Sequence, residues 1–336
     1  MLAPRSISAF WLASAILPLA ALAALAATVG CELDSSPATT RASAQPTRQG
    51  SEPVARASRI VSINPSLTAI LIALGARETI VGVDDFSAAQ QPEVSALPRV
   101  GGLFSPSLEA VAALEPDAVV LVPSVEQRDF RERLEAIGIP VVVFENIRFE
   151  QVLENIRVLG ELVGLEAEAS ARVQAIRSAR AAAQKVSATR PAPRTVLVLQ
   201  RDPVFVVGRG GFLDELLGWA GALNLGARFD DPYPQVAIEW LVDVAPEVVI
   251  DMTPEPGDPL EFWSRWPAIP AVATGRVVHL DQVYLPGPFL DRSLRALVET
   301  LHGASAAAEL AALLDPPNEE TTRSEARPRT RAGADG

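Results

Sequence analysis

Between Arg59 and Leu314 short apolar runs alternate with amphipathic stretches. The runs RIVSI, TIVGVD, DAVVLV and PVVVFE are β-branched and bounded by turn residues, and between them lie helical patterns such as LTAILIALG and LEAVAALEP. Strands alternating with helices in this way predict parallel sheets with helices packed on their faces. The second half repeats the pattern with RTVLVLQ, PVFVVG, EVVIDM and RVVHLD. Two sheets of about four strands each predict an α/β fold of two Rossmann-like lobes. Between the halves, residues 149–188 have helix-forming composition, and after Gly164 the positions Leu165, Ala169, Val173, Ile176, Ala179 and Ala183 fall at three- and four-residue steps. That periodicity predicts one stiff helix of about 34 Å joining the lobes, and so little opening and closing.

The halves echo each other in detail. Glu109 stands seven positions before Pro116, ahead of the run AVVLV, and Glu239 stands seven before Pro246, ahead of VVID. Each unit reads as a short helix followed by a strand, with proline where the helix has ended. The organisation expected is an N-terminal lobe over 58–156, an interlobe helix over 157–190 and a C-terminal lobe over 191–314.

The ends read differently. Between Arg5 and Glu32 there are 26 uncharged positions, long enough for an export signal or a membrane span. Thr28-Val29-Gly30-Cys31 resembles a bacterial lipoprotein cleavage box, with Thr28 where that box usually has Leu. It implies a signal peptide over 1–30 and lipidation of Cys31; an uncleaved anchor and a secreted chain with a free cysteine stay open, and all three place the fold outside the cytoplasm. Residues 31–57 are rich in Ser, Thr, Ala, Pro and Gln and read as a flexible tether. Residues 315–336 are equally polar and read as a disordered tail.

Composition then narrows the chemistry. Acidic residues number 41 against 29 basic, the net charge is −12, and Lys185 is the single lysine. A nucleic-acid partner is not expected, because phosphate contacts need a basic face. One cysteine and two separated histidines, His279 and His302, cannot assemble a zinc cage or a zinc or manganese receptor site; core and capping roles are expected for the histidines. Gly208-Arg209-Gly210-Gly211 follows a strand and opens a helix, with Asp230 about twenty residues on, as in a dinucleotide-binding enzyme. The third glycine of that fingerprint would fall at Leu213, and no Gly-x-Ser-x-Gly elbow is present. An enzyme built on this loop is the distant alternative, and no catalytic residue, cofactor or metal ligand is assigned.

The segments RIVSINPSLTAILIALGARETIVGVDDFS, LPRVGGLFSPSLEAVAALEPDAVVL, VVGRGGFLDELLGWAGALNL, DPYPQVAIEWLVDVAPEVVI and VYLPGPFLDRSLRALVETLH occur in this order around the long central helix. Together they resemble the helical-backbone periplasmic binding proteins, the substrate-binding subunits of ABC importers for vitamin B12, ferric siderophores and heme. The resemblance implies a ligand cleft between the lobes and two glutamates, Glu109 and Glu239, that dock on the membrane permease, where other subunits hydrolyse ATP. It departs at Ala69, where the family often has Glu, and at Phe289, where it often has Arg.

Ligands of parallel sheets sit beyond the carboxyl ends of the strands. The loops there supply Asn64, Pro65, Asp85, Phe86, Leu103, Phe104, Arg201, Arg209, Tyr233 and Tyr284 as the expected cleft wall. By resemblance, Phe86 and Tyr233 stand where B12-binding relatives place rings against the corrin, a contact that suits a flat macrocycle. Arg201 and Arg209 suit an anionic siderophore or heme propionates. Trp219 and Trp266 are expected in the core, and Trp240 is open between core and interface. The expectation is an extracytoplasmic lipoprotein that captures a cobamide or, alternatively, an iron chelate for an ABC importer.

Overall fold

In the N-terminal lobe the chain runs through β1 (Ile60–Ile63), α1 (Pro65–Ala73), β2 (Ile80–Val83) and α2 (Asp85–Gln90). A small hairpin follows, β3 (Gly101–Gly102) and β4 (Ser105–Pro106), then α3 (Leu108–Ala112), β5 (Ala118–Leu121), α4 (Arg128–Ala136) and β6 (Val141–Val143). This is a computed structural model, and it describes residues 56–122, 128–253, 257–280 and 286–315. All of them lie in one unit, Gly50–Gly336. The sheet order is β2-β1-β5-β6 with every pair parallel. Helix starts follow their caps: Asn64 Oδ1 accepts from Ser66 N at 2.9 Å with Pro65 at the first turn, and Ser107 Oγ accepts from Ala110 N at 3.1 Å.

Two helices then join the lobes, α5 (Phe149–Val163) and α6 (Glu166–Ser187). The C-terminal lobe contains β7 (Arg194–Arg201), β8 (Val204–Val206), α7 (Phe212–Trp219), β9 (Leu223–Asn224), α8 (Ile238–Val244) and β10 (Val248–Asp251). It closes with α9 (Pro259–Trp263), α10 (Pro270–Ala273), β11 (Val277–His279), α11 (Leu290–His302) and α12 (Ala304–Leu314). Its sheet runs β11-β10-β7-β8, with β9 also on β7. β8 is antiparallel to β7, whereas β9, β10 and β11 are joined in parallel. The place that β2 holds beside β1 is thus shared by two short strands, β9 along the start of β7 and β8 along its end.

Three boundaries differ from the sequence expectation. Gly164, at φ 73°, ends α5, so the interlobe helix begins at Glu166 and residues 157–163 are the last turns of a helix packed on α1. Ala57 is buried and its N–H donates to Leu162 O at 2.8 Å, while Arg56 pairs with Glu166, so the last residues of the expected tether already belong to the fold. Asp315 N donates to Ala311 O at 2.8 Å and closes α12.

Strand alternation divides the core into three layers. Val61, Ile63, Val119 and Leu121 face outward onto Phe130 and Leu134 of α4. Val196, Val198 and Val249 face the opposite outer layer with Trp263. The inward faces, Ile60, Ala118 and Val120 from one sheet and Leu197, Val248 and Ile250 from the other, belong to a single central cluster. Leu67 and Ile70 of α1, Leu159 of α5, Ile176, Ala179 and Ala183 of α6, Leu216 and Leu217 of α7 and Leu294 of α11 fill it. Where α5 and α6 meet, a Cβ on Gly160 would lie 2.4 Å from Ala169 Cβ, so glycine sets the approach of the two helices. Side-chain contacts bracket the same junction. Phe149 stacks edge-on with Trp219 at 4.4 Å, Arg180 lies 4.1 Å from the Trp219 ring, and Glu215 Oε2 accepts from Phe149 N at 2.9 Å.

One core serving both lobes predicts one unfolding event. Ile176→Ala, at a fully buried site in α6, is expected to cost about 2–5 kcal/mol and to shift a single calorimetric transition without splitting it. Two separated transitions would show that the lobes unfold independently.

Candidate functional site

The carboxyl edge of the N-terminal sheet brings together the wall residues expected from that lobe. β1 and β2 are parallel neighbours, so the loops that leave them, carrying Asn64-Pro65 and Asp85-Phe86, emerge side by side. Gln91 Nε2 donates to Pro65 O at 2.7 Å and ties the end of α2 to the start of α1. Val83 bridges Arg99 and Val100 N donates to Val83 O at 3.0 Å, which brings the β3–β4 turn with Leu103 and Phe104 to the same edge. Phe86 is half-buried, and Phe104 is 49% exposed.

A buried polar network lies beneath this wall. Asp84 Oδ1 accepts from Phe86 N at 2.9 Å and Ser87 N at 3.0 Å and so caps α2. Its other oxygen accepts from the Ser87 hydroxyl, and Thr68 Oγ1 links Ser87 Oγ at 3.0 Å to Ser62 Oγ at 2.8 Å. Burial pushes the Asp84 carboxyl above the ordinary aspartate range, with the Ser87 and Phe86 hydrogen bonds opposing it. The sequence reading missed this network, whose signal was an Asp in the N-cap position just after a strand.

In the C-terminal lobe the expected wall residues Arg209 and Tyr233 lie on two paired loops. Gly208 N donates to Pro232 O at 2.9 Å and Arg209 N to Phe229 O at 3.0 Å, so the glycine-rich loop is zipped to the loop that carries Tyr233. A Cβ on Gly208 would stand 1.9 Å from Asp231 O. That close backbone approach, within the lobe itself, accounts for the glycine that suggested a dinucleotide loop. Tyr233 is 44% exposed, its hydroxyl end lies over Gly211, and burial pushes the phenol up. Arg209 is exposed and pairs with Asp230 at 3.1 Å. The Ser66 hydroxyl of the N-terminal lobe donates to Pro286 O of the C-terminal lobe, and Arg172 of α6 pairs with Asp291 of α11.

Arg201 requires a correction. It ends β7 at the expected edge, but its side chain is only 8% exposed, its Nε donates to Asp251 Oδ2 at 2.9 Å, and it stacks 4.8 Å from the Phe262 ring. Asp251 also accepts from Trp263 Nε1 at 2.7 Å and from the Thr253 hydroxyl at 2.6 Å. The Arg201 charge is therefore paired with Asp251 inside the lobe, where the expectation had it free in a loop. His279, expected in the core, is exposed at the end of β11, while His302 Nε2 contacts Ala220 O at 2.8 Å near the end of α7. Trp240 is half-buried and stacks on Phe229 at 5.3 Å. Tyr284, Cys31 and the expected signal peptide lie outside the described residues. Glu109 and Glu239 are both exposed, in the first turns of α3 and α8. The Glu109 carboxyl is held below the usual range by its own backbone N–H and the Ser107 hydroxyl.

The geometry is that of two α/β lobes, with Phe86 and Phe104 at the carboxyl edge of one sheet and Tyr233 in a loop beside β8 of the other. A family model described as periplasmic binding protein matches residues 60–284, and the chain belongs to that family. It is 26% identical to a vitamin B12-binding protein of Vibrio parahaemolyticus over 242 residues, 72% of this chain and 87% of the relative. It is 27% identical to an uncharacterized ABC transporter substrate-binding lipoprotein of Bacillus subtilis, covering 73% of this chain and 80% of the relative. Among solved structures, the apo periplasmic heme-binding protein from Roseiflexus sp. RS-1 superposes with a TM-score of 0.65 at 23% identity, over 74% of this chain and 99% of that one. That likeness is one of fold.

The Asp84 network predicts a pH dependence. With its folded-state pKa raised, Asp84 stabilises the fold fully below the ordinary value of 3.8 and loses that contribution as pH rises through the folded value. Asp84→Asn is therefore expected to gain thermal stability relative to the parent as pH goes from about 3.5 to about 8. A difference that is flat or falls over this range would contradict the assignment.

Proposed function

We propose that this chain is the extracytoplasmic solute-binding lipoprotein of an ABC importer, and that it captures a cobamide between its lobes. The observation that carries the reading is the placement of exposed rings. Among the described residues, the large aromatic side chains that are exposed are Phe104 and Tyr233, one on each lobe, Phe104 in the β3–β4 turn and Tyr233 in the loop paired with β8. Most other aromatic side chains pack into the three core clusters, so an exposed ring on each lobe suits a flat, partly apolar macrocycle. Half-buried Phe86 extends the N-terminal face, and Asn64 and Asp85 supply polar groups beside it. The sequence likeness to vitamin B12-binding relatives supports the same ligand class. The chain catalyses nothing in this account. It gives up its ligand to a permease that recognises Glu109 and Glu239, and Cys31 carries the lipid that holds it at the membrane.

A ferric siderophore or heme is the second reading, favoured by the exposed Arg209 beside Tyr233, a cation suited to an anionic chelate.

Calorimetric titration with cyanocobalamin, hemin and a ferric hydroxamate distinguishes these ligands. The expected result is one-to-one cobalamin binding that weakens about tenfold in Tyr233→Ala, the scale of one lost aromatic contact with its buried area. Binding of hemin or the hydroxamate alone would replace the cobamide. Glu109→Arg and Glu239→Arg are expected to keep ligand affinity and to impair uptake by cells; undiminished uptake in both would refute the docking role.

A further inference from the structure

The likeness between the two lobes is closest behind the glutamates. Glu115, at φ 44°, and Ala245, at φ 46°, are the non-glycine residues with positive φ among the described residues. Each stands six positions after its glutamate and directly before a proline, Pro116 or Pro246. The left-handed region is disfavoured for L-residues, and a following proline further restricts its predecessor. Such a turn persists only where its surroundings hold it.

The same type of residue holds both turns. Arg59, just before β1, donates from Nη2 to Leu114 O at 2.6 Å and from Nε to Glu115 O at 3.1 Å. Arg194, the first residue of β7, donates from Nη2 to Val244 O at 2.5 Å. Each arginine's own backbone is clamped in return. Asp117 Oδ2 accepts from Arg59 N at 2.9 Å and from Ser58 N at 2.8 Å, and Glu247 Oε2 accepts from Arg194 N at 2.9 Å. Asp117 N and Glu247 N donate back to Arg59 O and Arg194 O, both at 2.8 Å. The arginine satisfies helix-terminal carbonyls and complements the negative end of the helix dipole.

α3 and α8 have five and seven residues, too short to hold a direction without tertiary support. Each carries its glutamate in the first turn, and the arginine ties the turn after α3 and the last carbonyl of α8 to the opposite, amino-terminal edge of the sheet. We propose that Arg59 and Arg194 are positioning residues for permease docking: they fix the far ends of α3 and α8 and thereby aim Glu109 and Glu239. This rests on the docking reading of the two glutamates.

The test measures binding of the full-length, ligand-free chain to its cognate permease in lipid nanodiscs, alongside thermal midpoint and cyanocobalamin affinity. The double variant Arg59→Ala with Arg194→Ala is expected to bind the permease about tenfold more weakly, on the scale of lost hydrogen bonds from a charged donor, with cyanocobalamin binding unchanged. Arg→Lys at both positions is expected to recover part of that loss. The second double variant, Glu115→Gly with Ala245→Gly, relieves the left-handed turns and frees their direction. It is expected to keep or raise the thermal midpoint while lowering permease affinity, two readouts that a purely structural role would move together. The glycine variant decides the matter if the alanine variant does not fold. Unchanged permease affinity in the glycine variant, or weakening that tracks loss of stability and of cyanocobalamin binding, overturns the proposal. Glu109→Arg with Glu239→Arg serves as the control. If this variant binds the permease normally, the docking reading itself fails; if it does not bind and the positioning variants bind normally, only the positioning proposal fails.

Discussion

The contact of α6 with both halves of the molecule is the constraint from which the remaining architecture follows. Its 22 residues bury Ala169, Ile176, Ala179, Ala183 and Val186 in a cluster that also receives the inward faces of both sheets. Small side chains let α5, α7 and α11 approach the same helix, and the apolar area removed from water there favours the lobes packed as one body. A strand hinge would leave hydrated polar backbone between lobes. Here buried apolar side chains form the junction, and Phe149, Trp219 and Arg180 extend it with packed rings and a cation.

A rigid junction divides the work between the two ends of each sheet. Beneath the loops at the carboxyl edges, each lobe has a buried carboxylate that gathers the surrounding groups by hydrogen bonds. Asp84 performs that task in one lobe by capping α2 under Phe86, and Asp251 in the other by gathering Arg201, Thr253 and Trp263. The amino-terminal edges hold the two proline turns whose arginines fix α3 and α8. In the proposed function, ligand contact and partner contact are therefore assigned to separate groups of residues on the same scaffold, which is why substitutions in one group are expected to leave the other readout intact.

Features whose cause is local were legible in the sequence. Strands β1, β2, β5, β6, β7, β10 and β11 sit on the β-branched runs, most clearly β1, β5 and β10, which are buried on both faces. The matched spacing of Glu109 and Glu239 to their prolines reappears as matched left-handed turns. Phe104 and Tyr233 were legible as aromatic residues in loops, where burial does not explain a ring. Features set by distant partners were not. Arg201 reads as a free loop arginine until Asp251, 50 positions on, closes over it. The antiparallel direction of β8 and the restart of the long helix after Gly164 depend on a turn and on packing that apolar periodicity does not encode. The contact of Ser66 with Pro286 spans 220 positions and has no sequence signature.

The most direct test of the central claim is the distance between the lobes in solution. Spin labels at Glu132, exposed on α4, and at Ser264, exposed after α9, in a chain with Cys31 replaced by serine, report it by pulsed electron resonance. The shared core predicts one narrow distance distribution, unshifted within its own width when the ligand found by titration is added. A broad or two-peaked distribution in the free chain that collapses on ligand addition would show that the lobes move on a hinge and that α6 does not hold them as one body.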